Sequence, residues 1–221
     1  MKTLQHWFSR RGALPLTCYL VAVALWLVLG AVHWGSDALA RSAGTMYEAD
    51  IPVTEWQLAG ITDAGSTAES AVLTTTDGDP QLILEDVSGM VVRTLSYTVT
   101  FEGDAREMCL YYTTKVGEDY SQDRRVFPQA LGDGRYLYTL PRTTIVALRL
   151  DPCSPDENKT VQMTFAPGTI TLNAADSLPA AWQYFVPSWY QAFCLVLYPA
   201  LAAAALSWLR AVWRALRRKT A

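Results

Sequence analysis

The amino-acid sequence predicts an all-β sandwich of the jelly-roll type, flanked by two transmembrane α-helices. Two long stretches of this 221-residue chain, residues 12–36 and 177–209, contain no Lys, Arg, Asp or Glu. All 21 acidic residues lie between these stretches. The same intervening segment alternates apolar and polar side chains in short runs, the pattern of strands with one buried face. Charge-free stretches of this length indicate membrane helices, and the alternation indicates a β domain between them.

The two charge-free stretches are long enough to cross a hydrocarbon core, which needs about 20 apolar residues of helix. We place the transmembrane helices at residues 13–34 and 184–209. Basic residues exceed acidic ones by three in residues 1–12 and by five in residues 210–221, whereas the chain between these tails has 21 acidic and only 10 basic residues. Because short basic flanks stay in the cytoplasm, we predict that both tails are cytoplasmic and that residues 35–183 are extracytoplasmic.

The first helix has two interpretations. Its basic flank, its apolar run and the small-residue triplet Ala38-Leu39-Ala40 are also typical of a cleavable secretory signal. The apolar run is longer than the roughly 7–15 residues of such a signal core, which favours an uncleaved signal anchor. Under both interpretations the following segment is exported.

Aromatic and basic residues mark the expected ends of the two helices. Amphipathic rings favour the headgroup region, and Arg side chains reach anionic headgroups from the cytoplasmic side. The predicted membrane-interface anchors are Trp34, Trp182, Trp189, Trp208, Arg210, Arg214, Arg217 and Arg218. The lipid bilayer is therefore the first predicted partner.

Residues 47–173 are predicted to form the core of the β-sandwich. The clearest alternation covers residues 93–101, in which every second residue from Leu95 to Phe101 is apolar and the intervening Ser and Thr are expected to face water. Further strands are predicted at residues 71–75, 81–85, 108–113, 136–140, 146–150 and 161–165. Turns that contain Gly or Pro separate these runs, and no helical pattern lies between them, which favours a jelly roll of about eight or nine strands.

The exported segment lacks the residue combinations of common enzymes. The only histidines, His6 and His33, lie outside the β core, which excludes a Ser-His-Asp triad and a His-based zinc site there. A glycosidase needs only two facing carboxylates, so a carboxylate-dependent glycan hydrolase stays an alternative, although no pair stands out among the acidic residues. We predict a protein with no catalytic residues, no metal, no cofactor and no nucleic-acid partner.

One set of aromatic and cationic residues is a candidate ligand-binding site. Aromatic rings stack on sugar rings, and charged side chains fix hydroxyl groups. The candidate residues are Tyr111, Tyr112, Tyr120, Arg124, Arg125, Tyr136 and Arg149. The alternative is a structural role, because strand tyrosines also pack in cross-strand pairs.

Two cysteines, Cys109 and Cys153, lie in the exported segment, where oxidation is chemically accessible. A disulfide needs Cα atoms within about 7 Å, which sequence does not show. The two alternatives are a Cys109–Cys153 disulfide and a pair of unpaired thiols, one of them buried in a strand.

Residues 79–172 contain the segments DPQLIL, MCLYYTTKVGEDYSQDRRV, GRYLYTLP and IVALRLDP in that order. This order resembles an extracytoplasmic β-sandwich module of bacterial membrane proteins and glycosyltransferases in cell-surface polysaccharide assembly. That module is similar in outline to galactose-binding-like and other carbohydrate-binding domains. The most specific piece is LRLDP, residues 148–152. The resemblance implies an accessory or recognition role at the bacterial cytoplasmic membrane, because no catalytic domain accompanies the module.

The leading functional hypothesis is a non-catalytic, membrane-anchored domain that recognises a glycan or polysaccharide during envelope polysaccharide or glycolipid assembly. The first alternative is a structural or regulatory subunit of a larger complex, whose helices pack beside a multi-span membrane protein. The second alternative is the membrane-anchored glycan hydrolase.

Overall fold

The computed structural model of the protein describes residues 13–67, 69–156 and 159–219. It divides into two compact units: a helical unit, made of the residues up to Asp37 and from Pro179 onwards, and a β unit, Ala38–Leu178. The predicted jelly-roll-type sandwich, with an apolar helix before and after it in the chain, is confirmed. The predicted tail at residues 1–12, with His6, lies outside the described residues.

Two long helices dominate the helical unit. Helix α1 spans Ala13–Ser42, and helix α2 spans Trp189–Lys219 after a short 3-10 helix at Ala181–Phe185. At a rise of about 1.5 Å per residue, the 30 residues of α1 extend over about 45 Å, which exceeds a hydrocarbon core of roughly 30 Å. By length and composition, both helices are able to cross a membrane. Helix α1 continues beyond the predicted span to Ser42, and α2 continues beyond its predicted span through the basic residues from Arg210 to Lys219.

Specific contacts join α1 to α2 and to the 3-10 helix that precedes α2. The Tyr19 hydroxyl donates a 2.9 Å hydrogen bond to the carbonyl oxygen of Val196, and Trp26 Nε1 donates one of 3.3 Å to the carbonyl oxygen of Phe185. Gly30 allows the close approach, because a Cβ at this position would lie 2.8 Å from Phe185 Cδ1. Small residues at such crossings let helix backbones approach in membranes.

The predicted interface anchors all have exposed side chains in the structure. This set comprises Trp34, Trp182, Trp189, Trp208, Arg210, Arg214, Arg217 and Arg218. The guanidinium of Arg217 lies 3.6 Å from the centroid of the Trp213 ring, a cation–π contact one turn apart on α2. Their role at a membrane interface stays a prediction.

Thirteen strands form the described part of the β unit, linked by turns and by 3-10 helices at Val53–Glu55 and Gln122–Arg124. The strands are β1 (Ala49–Pro52), β2 (Gln57–Ala59), β3 (Ile61–Asp63), β4 (Ala71–Thr75), β5 (Gln81–Leu84), β6 (Thr94–Glu102), β7 (Cys109–Thr113), β8 (Arg125–Val126), β9 (Gln129–Gly132), β10 (Arg135–Thr139), β11 (Ala147–Asp151), β12 (Gln162–Phe165) and β13 (Thr169–Leu172).

These strands build two antiparallel sheets. An eight-stranded sheet has the order β1-β13-β6-β12-β4-β3, with β10 added on the other side of β6 and β9 beside β10. A five-stranded sheet has the order β2-β5-β11-β7-β8. The long strand β6 organises the larger sheet, because its first half pairs with β13 and β10 and its second half with β12.

The core lies between the two sheets and follows the predicted alternation. Leu148 and Leu150 of β11, together with Met163 and Phe165 of β12, are fully buried in one apolar cluster with Leu95 of β6. All seven predicted strands, residues 93–101 among them, correspond to observed strands: β4, β5, β6, β7, β10, β11 and β12. The strands that the sequence did not single out are short and lie mostly at sheet edges: β1, β2, β3, β8, β9 and β13.

One expectation for β6 was wrong in part. The face that carries Thr94 and Ser96 was expected to face water, but both residues are buried. The segment after β13 folds back over this end of the strand, and the Thr94 and Ser177 hydroxyls lie 2.6 Å apart in a hydrogen bond. Only the far end of this face, at Thr100, is exposed.

Asn173, directly after β13, joins three segments of the eight-stranded sheet. Its Oδ1 accepts a 2.7 Å hydrogen bond from the backbone N–H of Arg93, and its Nδ2 donates to the carbonyl oxygens of Tyr47 at 3.2 Å and Val91 at 2.8 Å. The residue is buried and has a φ of 54°, a left-handed conformation that Asn tolerates better than most residues. It replaces backbone pairing where the strand ends.

Cys109 and Cys153 are free thiols, so the disulfide alternative was wrong and the alternative of two unpaired thiols describes the structure. The two sulfurs have different neighbours: Cys109 Sγ donates to Asp151 Oδ2 at 3.9 Å, and Cys153 Sγ contacts Met163 Sδ at 3.8 Å. Both thiols are buried, and burial raises the pKa of Cys153 to about 12. Cys153 acts as a small residue of the apolar core, whereas Cys109, two residues before Tyr111 in β7, lies on the outer face of the five-stranded sheet beside Asp151.

Candidate functional site

The strand register places Arg149 and Tyr111 side by side on the outer face of the five-stranded sheet. Arg149 of β11 pairs directly with Tyr111 of β7. Successive side chains of a strand point to opposite faces, and the adjacent Leu110, Leu148 and Leu150 are fully buried in the core. Arg149 and Tyr111 therefore point away from the core.

Arg149 is held by two carboxylates and one aromatic ring. Its Nε and Nη2 donate to the two oxygens of Asp151, both at 2.8 Å, in a bidentate pair. The same Nη2 donates to Asp79 Oδ1 at 3.1 Å. The guanidinium carbon lies 5.0 Å from the centroid of the Tyr111 ring. The plane and position of the guanidinium are thus fixed from three directions.

The Arg149–Asp151 pair is largely removed from water. The Arg149 side chain is 19% exposed and that of Asp151 only 8%. Burial raises the pKa of the Asp151 carboxyl, and the hydrogen bonds from Arg149 oppose that shift. A carboxylate at this depth needs its partner, because an unpaired buried charge is strongly destabilising.

Tyr120 brings a second aromatic ring to this cluster from the loop at residues 114–124. Burial raises the pKa of the Tyr120 hydroxyl, the charge of Arg149 opposes that shift, and the charge of Glu85 adds to it. We call Asp79, Tyr111, Tyr120, Arg149 and Asp151 the Arg149 face.

The loop that carries Tyr120 is itself fixed by Glu118. Glu118 forms an ion pair with Arg124, and its Oε2 accepts hydrogen bonds from the backbone N–H of Thr114 at 2.9 Å and from the Thr114 hydroxyl at 3.1 Å. These contacts close the loop at both ends. Arg124 is therefore a structural partner of Glu118 and lies at the edge of the candidate site.

The structure brings four of the seven predicted ligand-binding residues together: Tyr111, Tyr120, Arg125 and Arg149. Arg125 of β8 pairs with Tyr111, and its guanidinium lies 4.9 Å from the centroid of the Phe127 ring. Ligand binding by these residues stays a prediction.

The other predicted tyrosines lie elsewhere. Tyr112 follows Tyr111 in β7 and packs on the opposite face against the core. Tyr136 belongs to β10 of the eight-stranded sheet, where its ring centroid is 5.9 Å from Tyr97 and 6.4 Å from Phe101. The structural alternative describes both residues: Tyr136 packs in a cross-strand aromatic pair, and Tyr112 packs against the core.

Sequence reasoning missed the two carboxylates that hold Arg149. Asp151 is two residues after Arg149 in the same strand, and this i, i+2 spacing puts both on one face; the spacing was a usable signal. Asp79 lies 70 positions away, in the turn before β5, and no local pattern connects it with Arg149.

The Arg149 face offers fixed donors and acceptors beside aromatic rings. Asp79 is exposed and also accepts a 2.6 Å hydrogen bond from Gln81 Nε2, so its carboxylate is oriented before any ligand arrives. Such groups suit the hydroxyls of a polar ligand. Among the described residues, no group of three or more His, Cys, Asp or Glu side chains is arranged to hold a metal ion.

No protein-family model matches the chain, and no curated protein matches it. Solved structures similar to it include a xylan-binding module of family 86 from Roseburia intestinalis, with 13% identity and a TM-score of 0.37, covering 60% of this chain and 99% of that one. A family 29 carbohydrate-binding module has 9% identity and a TM-score of 0.41, with 60% and 94% covered. A family 32 module of C. perfringens NanJ, in complex with galactose, has 9% identity and a TM-score of 0.37, with 57% and 98% covered. These values are too low to indicate what this chain binds.

Proposed function

We propose that the protein is a non-catalytic recognition protein, anchored in a membrane by α1 and α2, whose β unit binds a glycan at the Arg149 face. The glycan class that we propose is an envelope polysaccharide or glycolipid on the extracytoplasmic side of a bacterial cytoplasmic membrane. The observation that carries the proposal is the Arg149 face itself: a guanidinium fixed by Asp151 and Asp79 beside Tyr111 and Tyr120.

The anchoring part of the proposal is supported by the surface of the two helices. Their apolar side chains are largely exposed, which water disfavours and lipid favours. Residues 1–12 and the end of α2 carry basic residues and no acidic ones, whereas the segment between them has 21 acidic and only 10 basic residues. This asymmetry supports cytoplasmic tails and an extracytoplasmic β unit.

The orientation is tested with a single added thiol. Asp104 is an exposed turn residue of the β unit, and the variant Asp104→Cys should react with a membrane-impermeant maleimide on intact cells. Cys109 and Cys153 are buried and should give little background. Labelling that requires cell lysis would overturn the proposed orientation.

The glycan part is supported by preorganisation. Sugar hydroxyls need donors and acceptors at fixed positions, and groups that are already ordered lose less entropy when a ligand binds. Arg149 and Asp151 are locked by their mutual hydrogen bonds, whereas Asp79 combines a fixed orientation with an exposed carboxylate. Tyr120 adds a ring at the same face.

A matched pair of aspartates tests the site. Asp79 and Asp104 are 68% and 70% exposed, and each contacts one arginine, Arg149 and Arg106 respectively. Full-length protein in detergent micelles is applied to an array of purified bacterial surface polysaccharides and defined oligosaccharides. We expect Asp79→Asn to weaken binding by roughly tenfold, since hydrogen bonds to charged groups contribute about 1.5–3 kcal/mol, and Asp104→Asn to bind like the wild type.

Tyr120→Leu is a second test variant, and it leaves the ion pairs intact. Its control is Tyr47→Leu, which replaces an exposed tyrosine. Absence of any bound glycan, or equal effects of Asp79→Asn and Asp104→Asn, would contradict glycan binding at the Arg149 face. Cleavage of an arrayed glycan would contradict the non-catalytic role.

A further inference from the structure

A polar cavity lies on the outer face of the eight-stranded sheet, where β13, β6 and β10 run side by side. Its volume is about 370 Å³, within the range of small-molecule sites. The lining includes Ser96, Thr98, Arg135, Thr169 and Thr171 of these strands. We call this space the hydroxyl cavity.

The strand register explains why the floor of the hydroxyl cavity is lined with hydroxyl groups. Ser96 of β6 pairs with Thr171 of β13, and Thr98 of β6 pairs with Arg135 of β10. The alternate residues of these strands, such as Tyr97 and Leu95, point into the core. Strands β6 and β13 therefore present Ser and Thr side chains on one surface, away from the core, and β10 adds Arg135 beside them.

Charged groups at the wall of the cavity are oriented by contacts within the fold. Arg135 Nη2 donates to Asp176 Oδ2 at 2.5 Å, and Glu48 Oε2 accepts a 3.1 Å hydrogen bond from the backbone N–H of Ala175. The Thr171 hydroxyl donates to Asp50 Oδ1 at 2.6 Å. These groups offer both donors and acceptors in fixed positions.

The charge balance of the lining indicates the ligand class. The lining holds one guanidinium, from Arg135, and two carboxylates, from Glu48 and Asp176, and its remaining polar side chains are hydroxyls. An anionic ligand would meet a net negative wall, and like charges in partly enclosed sites repel each other. A neutral molecule with several hydroxyls can donate to the carboxylates and accept from the guanidinium.

We propose that the hydroxyl cavity is a second ligand site, which binds one neutral sugar residue. The volume, the hydroxyl floor at Ser96 and Thr98, and the opposed Arg135 and carboxylates together carry this inference. The site lies on the other sheet from the Arg149 face and shares no residue with it, so it does not depend on the function proposed for that face.

The test is titration of the full-length protein in detergent micelles with three neutral probes, the methyl glycosides of glucose, galactose and N-acetylglucosamine, and with glucuronate as the anionic probe. Binding is measured by ligand-detected NMR. Thr98→Val removes a hydroxyl of the cavity and keeps the side-chain shape. Thr164→Val is the control, because Thr164 lies on the same sheet in β12, alternates with buried residues as Thr98 does, and is not part of the cavity lining.

We expect at least one neutral glycoside to bind. Thr98→Val should weaken the binding of that glycoside roughly fivefold, as the loss of one hydrogen bond predicts. Thr164→Val should leave its binding unchanged. Arg135→Gln should weaken the same glycoside if Thr98→Val proves poorly folded. Asp79→Asn should have no effect, which separates this site from the Arg149 face. Preference for glucuronate, no binding of any neutral glycoside, or loss of binding in Asp79→Asn alone would overturn the proposal.

Discussion

The two outer faces of the sandwich arise from the same strand alternation, but their polar side chains are used differently. On the five-stranded sheet, the outward Arg149 is tied to Asp151, Asp79 and the Tyr111 ring, and its side chain is mostly buried. On the eight-stranded sheet, the outward Ser96 and Thr98 border an open cavity, and the charged pair beside them is far more exposed.

The difference lies in where each sheet keeps its buried polar groups. The five-stranded sheet has them on the outer face, where the ion pair joins β11 to the turn before β5. The eight-stranded sheet has its most connected polar side chain, Asn173, at the end of β13. The outer face of the larger sheet buries the hydroxyls of Thr94 and Ser96, but its ion pair, Arg135–Asp176, is exposed and borders a cavity. Stability measurements on single variants test this distinction.

The largest effect is expected at Asn173. Asn173→Ala removes the acceptor for the Arg93 N–H and the donor to the Tyr47 and Val91 carbonyl oxygens. Each buried group left without a partner costs about 1–3 kcal/mol, so we expect a loss of about 4 kcal/mol in the free energy of unfolding. Urea unfolding of the full chain in detergent, followed by pulse proteolysis, measures it.

Asp133→Ala is the control for the Asn173 variant. Asp133 also has a positive φ, 49°, but lies in an exposed turn, so its substitution reports the backbone strain without the hydrogen bonds. Equal losses in the two variants would show that the side-chain contacts of Asn173 contribute nothing, and the distinction between the two sheets would lose its basis.

Smaller losses in the free energy of unfolding are expected when a single arginine is replaced, either on the Arg149 face or beside the hydroxyl cavity. Arg149→Met leaves the Asp151 carboxylate unpaired at 8% exposure, and we expect a loss of about 3 kcal/mol. Arg135→Met removes the partner of Asp176, but these side chains are 37% and 61% exposed, and we expect less than about 1 kcal/mol. The same unfolding assay compares the two variants directly.

The double variant Arg149→Met/Asp151→Leu sharpens the comparison. It removes both buried charges and should recover most of the stability that Arg149→Met loses, because replacing a buried ion pair with apolar residues is often neutral. If Arg135→Met proves as destabilising as Arg149→Met, the two faces do not differ in the way that the structure indicates.

The sequence predicted the architecture well because that architecture depends on local patterns. Charge-free length identified α1 and α2, and period-2 alternation identified strands such as β11 and β12, whose burial alternates as expected. The short edge strands β8 and β9 carry too few residues to show a period. The burial of Thr94 and Ser96 depends on a segment some 80 positions later in the chain, which no local pattern reveals.

The candidate site was predictable only in part, for the same reason. Arg149 and Tyr111 were both identified by residue type, but their pairing depends on the register between β7 and β11. Tyr136 has the same composition signal as Tyr111, yet it belongs to the other sheet and packs against Tyr97. Residue type alone therefore does not separate a tyrosine of an outer face from one of an aromatic cluster.

The smallest expected effect concerns pH and the loop at residues 114–124. The hydrogen bond from Arg124, followed by that from the Thr114 N–H, lowers the pKa of Glu118 from the ordinary 4.5 to about 2. The stabilisation that this carboxylate gives the folded loop is thus fully present above pH 4.5 and is lost as the pH falls from there towards 2. In the wild type, the backbone amides of this loop should lose protection against hydrogen–deuterium exchange over that pH range, as measured by mass spectrometry. In Glu118→Gln, which has no carboxylate to titrate, the protection should be independent of pH. Parallel behaviour of the two proteins would mean that Glu118 does not close the loop, and Tyr120 would then lack the fixed position that the Arg149 face requires.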